Sequence, residues 1–223
     1  MVWMGRVGRH FFVVLICFIL LFPYIGSAAS GLAVQGFYES AFQGEYGDTE
    51  RSATIRWARP ITIYMKGDYT RGDVATLAAL LYDLSGNVQN LPQLSLTTKP
   101  EGANVTISFV PYDKMNEAVT GYEEGNIGFV WVNYDNYVVT SAEIAISTSN
   151  TSQKSRSAVI REEVVNMLGL LNDISCTHKS IICQEGKTVT NLSSIDYEML
   201  NLLYGPLMLP GTTRKRAGEI LGK

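Results

Sequence analysis

Glu162 and Glu163 stand side by side in the stretch IREEVVNMLGLLND, residues 160–173. Asn166 follows one turn later, and Asn172 and Asp173 lie just beyond Gly169. Two neighbouring carboxylates can divide acid–base work, because each charge raises the other's pKa and one of them holds a proton. Carboxylate and amide oxygens can also ligate a hard cation. On a helical wheel of about 100° per residue, Ile160, Val164, Met167 and Leu168 fall together, with Val165 at the margin. Glu162, Glu163 and Asn166 gather on the other side. Gly169 can take the left-handed conformation that ends a helix, and the turn after it can bring Asn172 or Asp173 back beside the acids. The plain alternative is an amphipathic helix with a solvated polar face and acids placed to suit the helix dipole. A third reading pairs the acids with Arg161 or Arg214.

Composition narrows the chemistry. The chain has two histidines, His10 and His178. His10 precedes the apolar run FFVVLICFILLF, residues 11–22, which is followed by Ser27, Ala28 and Ala29. A basic start, an apolar run and small residues read as an export signal cleaved after Ala29. The protein is therefore expected outside the cytoplasm, periplasmic or secreted. The alternative is an uncleaved membrane anchor over residues 11–29. After cleavage only His178 remains, which excludes a metal held by two or three histidines. No GxSxG elbow supports a serine triad.

Removing the first 29 of 223 residues leaves 194, one domain with a real core. Loss of Arg6 and Arg9 moves the net charge from −3 to −5. No basic stripe interleaved with aromatics is present, so nucleic acid is not the expected partner. The one basic cluster, Arg214 to Arg216, reads as a solvated face. Cys176 and Cys183 are spaced for a disulfide closing a short loop in an oxidising compartment. A zinc site begun by these cysteines and His178 is the alternative, although a closed one needs four ligands.

These residues need elements to hold them. Residues 30–50 are Gly-rich and polar and read as an extended arm. Alternation over 52–65 indicates a strand interrupted by Pro60. Helical spacing of Val74, Leu77, Leu80, Leu81 and Leu84 predicts a helix over 71–84. Strands follow over 103–110, 128–134 (a buried one) and within 136–148, with a polar loop at 111–125. The motif helix is expected over 155–169. Ser193 or Ser194 opens another helix that Gly205 stops, and a short terminal helix covers TTRKRAGEILG. This order predicts an α+β fold, a mixed sheet covered by helices. Tyr112, Tyr122, Tyr134 and Tyr137 read as strand packing, or as a groove for a glycan or peptide.

The motif stretch is similar to the metzincin pattern HExxHxxGxxH. Alignment on Gly169 matches Glu163 to the catalytic glutamate, and Glu162, Asn166 and Asn172 to the three histidine ligands. KSII, residues 179–182, falls where that clan carries its methionine turn. A closer resemblance is to exported bacterial proteins of a domain-of-unknown-function family with REExxQxLGLxND, then SIF, then LxxxDxxxLxxLYxPxxxPGMxRxE. This chain has REEVVNMLGLLND, SII and LSSIDYEMLNLLYGPLMLPGTTRKRAGEIL, with Asn166 for Gln and Thr212 for Met. The resemblance implies a metzincin-like single domain over 51–223 without the zinc histidines. It implies an inactive or non-classical peptidase-like binding module for a protein, peptide or glycan. The alternative is a hydrolase of peptide or cell-wall polymer, with Glu163 as general base. Oxygen donors of this kind suit calcium better than zinc, so calcium or no metal is the expectation.

Overall fold

A computed structural model describes residues 29–43, 51–149, 151–175, 179–183 and 189–222. The leader, Cys176 and His178 lie outside the described residues.

Among the described residues the sheet has five strands: β1 (Ile61–Gly67), β2 (Leu94–Thr97), β3 (Val105–Val110), β4 (Gly128–Asp135) and β5 (Val138–Ser147). Their order is β2-β1-β3-β5-β4. Four run parallel, and β4 is antiparallel to β5. In register, Ile63 faces Val105 and Ile107 faces Ile144, so the buried side chains of neighbouring strands form one apolar layer. The helices are α1 (Gly31–Phe42), α2 (Arg71–Asn87), α3 (Met115–Ala118), α4 (Gln153–Met167), α5 (Ser194–Leu203) and α6 (Arg214–Leu221). α4 packs on β4, β5 and α2, while α1 packs on α5. The fold is α+β with a mixed sheet, as the order of elements predicts.

Two capping boxes set helix starts. Thr70 and Asp73 cap α2 reciprocally, and Ser193 and Asp196 cap α5. Leu77, Leu80, Leu81 and Leu84 then bury one face of α2, each contributing roughly 1.5–3 kcal/mol.

Three expectations need correction. Residues 31–42 are not an extended arm but α1, with Ala33, Phe37, Ala41 and Phe42 enclosed. Its small residues misled the reading. A β-carbon on Gly36 would lie 2.7 Å from the Met199 sulfur on α5, so a side chain there would have to displace Met199. Ser40 bonds back to the Gly36 carbonyl at 2.8 Å rather than to water. Next, β4 is an edge strand, not a buried one, and exposes Trp131 and Tyr134. Finally, the strand expected over 52–65 is only bridged at Ala53 and Arg56 before β1 begins after Pro60. The short edge strand β2 carries too few alternating residues to be visible in the sequence.

Candidate functional site

α4 is clamped at both ends. At its start, Gln153 Nε2 and Arg156 Nε donate to Asp73 Oδ1 at 2.7 and 3.2 Å, joining α4 to the capping box of α2. Ser157 and Thr76 share a 2.8 Å hydrogen bond. At its end, the Trp57 indole donates to the Met167 carbonyl at 2.8 Å, and the Tyr204 hydroxyl donates to that of Leu168 at 2.9 Å. These satisfy carbonyls that a helix terminus otherwise leaves bare. Gly169 then turns the chain at φ 117°, pressed against the Ile55 carbonyl, where a side chain has no room.

Between the clamps the polar face is enclosed. Glu162 and Glu163 are each 6% exposed and Asn166 9%. The solvated-face alternative is thereby overturned. β4, β5 and α2 pack round the helix, so its polar side faces protein and not water. Glu163 rests on Gly128, the first residue of β4; a β-carbon there would lie 2.6 Å from Glu163 Oε1 and would also strike Val159. Both glutamates are engaged by other groups. Among the described residues, Asn166 Oδ1 has no hydrogen-bond partner. An unsatisfied buried amide oxygen costs about 1–3 kcal/mol.

Asn172 has another duty. The Asn172 amide nitrogen donates to the carbonyls of Glu39, at 3.4 Å, and Asp173, at 2.8 Å. Its backbone N–H donates to the Ser40 carbonyl. Asn172 therefore fastens the turn after α4 to the end of α1. Arg161 donates to its own helix at Ser157. Burial lowers the pKa of its guanidinium, which Asp83 and Tyr197 partly offset, so its charge faces α2 and α5. Arg214 lies over the Tyr38 ring at 5.7 Å.

Zinc does not fit this set. Glu162, Asn166 and Asn172 offer only carboxylate and amide oxygens. Structural and catalytic zinc sites are built mainly from imidazole and thiolate. Sequence reasoning missed Gly128, Trp57 and Tyr204. Only Gly128 had a signal, a glycine opening a strand pattern, which marks a close approach.

Residues 32–223 match a family described as "Protein of unknown function (DUF2927)". The chain belongs to that family. No curated protein matches this DUF2927 member. Among solved structures it is similar to that of myroilysin. Identity is 11%, with 67% of this chain and 95% of that chain covered, at a TM-score of 0.45.

Proposed function

We propose that the protein is an exported, metzincin-like binding module in which a polar recognition site on α4 replaces zinc-peptidase chemistry. The observation that carries this reading is the enclosed Asn166 oxygen, an acceptor without a donor among the described residues. In this reading the edge strand β4, which packs on α4, gives way to admit a hydrogen-bond donor from a peptide, protein or glycan ligand, which satisfies the oxygen and recovers the cost of leaving it bare. Glu162 and Glu163 shape the site beside it. Cys176 bridges Cys183 in this reading and closes the loop whose ends, Ile174 and Cys183, pair directly. The test is incubation of the purified protein with zinc and a peptide library, with metal content measured alongside. Zinc-dependent cleavage that disappears in Glu163→Gln would overturn the proposal.

A second reading keeps hydrolysis, with Glu163 as general base and Glu162 as its partner. Its support is the position of Glu163 against the bare backbone of edge strand β4. It predicts turnover of a peptide or cell-wall polymer, lost in Glu163→Gln.

A further inference from the structure

Leu207 and Leu209 are 65% and 59% exposed, while Met208 between them is buried. The two leucines thus point outward from one loop. That loop is firmly held. Arg56 Nη1 donates to the carbonyls of Leu203, Gly205 and Met208. The hydroxyls of Thr54 and Thr212 both donate to the Leu209 carbonyl, and Gly211 N–H donates to that of Thr54. Paired, fixed leucines held in water by this many hydrogen bonds mark a contact surface rather than a frayed end.

Cations lie next to them. A turn closed by Thr212 N–H and the Leu209 carbonyl brings those residues within about 7 Å. α6 follows at once and exposes Arg214, Lys215 and Arg216. This triplet stands out in a chain of net charge −3. Arg216 has an acidic neighbour in Glu219 at 2.8 Å, an exposed pair that is readily exchanged. The edge also adjoins α1, because Arg214 sits over Tyr38. α1 begins about 10 Å from Tyr38 along its axis, and the apolar run of residues 11–22 precedes it in sequence.

We infer that the edge from Leu207 to Arg216 docks on the surface of an anionic lipid bilayer. The leucines enter the interface, and the exposed Lys215 and Arg216 meet headgroup phosphates. Nucleic acid would use the cations and leave the leucines idle. This inference does not depend on the site at α4.

The test is vesicle flotation of the purified chain with phosphatidylglycerol-containing vesicles and with phosphatidylcholine alone. Leader-driven insertion does not depend on these side chains, so the variants separate the two. Binding is expected to the anionic vesicles and to weaken with salt. Lys215→Gln/Arg216→Gln is expected to weaken it by about thirtyfold, from about fivefold per charge. Leu207→Ser/Leu209→Ser is expected to weaken it by about tenfold or more. All four sites are exposed, so the variants should fold, as an unchanged circular dichroism melt verifies. Equal binding to both lipids, or affinities unchanged in both variants, would overturn the inference. So would tight binding to duplex DNA or an acidic protein with no binding to vesicles.

Discussion

Glu163 occupies the space that a β-carbon on Gly128 would need, with Oε1 2.6 Å from that position. The motif helix and the first residue of the edge strand are therefore in direct contact, and each constrains the other. Gly128→Ala is expected to destabilise the protein by about 1–3 kcal/mol through overpacking. Glu163→Ala in the same chain should relieve part of that loss, since Val159 remains in the way. Urea denaturation of the two single variants and the double variant gives the coupling. Additive effects would show that the contact is not felt.

Asn166→Leu should separate stability from function. The exchange keeps the approximate shape and removes an enclosed acceptor that no described residue satisfies. Stability should rise by about 1 kcal/mol, while ligand binding at α4 is lost. A drop of several kcal/mol would mean that the amide has a structural partner of its own.

How much of this was legible in the sequence depended on what each residue touches. The strands around Ile63, Ile107 and Ile144 and the helix around Leu77 and Leu84 declare themselves, because period and burial agree. The helix bearing Glu162, Glu163 and Asn166 was visible, but its environment was not. A wheel shows which residues share a face, not that β4 and β5 cover it. α1 was hidden because Gly36 and Ser40, residues of loops, here lie in a helix packed on α5. Asn172 carried no sign of its partner, since the Glu39 carbonyl lies 133 residues away in the chain.

Asn172→Ala should loosen α1 without disturbing α4. It removes a donor to the Glu39 carbonyl and leaves the one from the Asn172 backbone to Ser40. A loss of about 1 kcal/mol is expected. Amide exchange should quicken in residues 37–42 and stay unchanged in 158–166. Equal acceleration in both helices would place Asn172 in the α4 site instead.

Tyr204→Phe deletes the hydroxyl that donates to the Leu168 carbonyl at 2.9 Å and accepts from the Trp57 backbone at 3.4 Å. Burial pushes the Tyr204 phenol far above its usual range, so the group is a neutral donor at every working pH. The variant leaves a buried carbonyl bare and should cost about 1–3 kcal/mol. Trp57 fluorescence reports the change, because its indole caps the neighbouring Met167 carbonyl. An unshifted thermal midpoint would show that the helix end does not need this cap.

Two enclosed capping aspartates should shape acid stability in opposite senses. Burial alone would raise the Asp73 pKa, but hydrogen bonds from Thr70, Gln153 and Arg156 outweigh it and hold the carboxyl below its usual value. Burial dominates at Asp196, whose hydrogen bonds come from the neutral donors Ser180, Ser193 and Ile181, and its pKa is raised. The difference lies mainly in desolvation, which is greater at Asp196, while Arg156, a cation 3.2 Å from Asp73, adds the smallest of the contributions that lower the Asp73 pKa. A depressed folded-state pKa gives stability that is present above the unfolded value of about 4 and is lost as pH falls through the folded one. A raised folded-state pKa gives stability that is complete below about 4 and is lost as pH rises through the folded one. Urea unfolding should therefore be followed from pH 3 to 7, roughly the span over which carboxylates titrate. Asp73→Asn should flatten the decline on the acid side, and Asp196→Asn the decline above about pH 4. Each proton removed from the linkage changes the slope by up to about 1.4 kcal/mol per pH unit. If both variants keep the slopes of the parent protein, neither aspartate changes its proton affinity on folding.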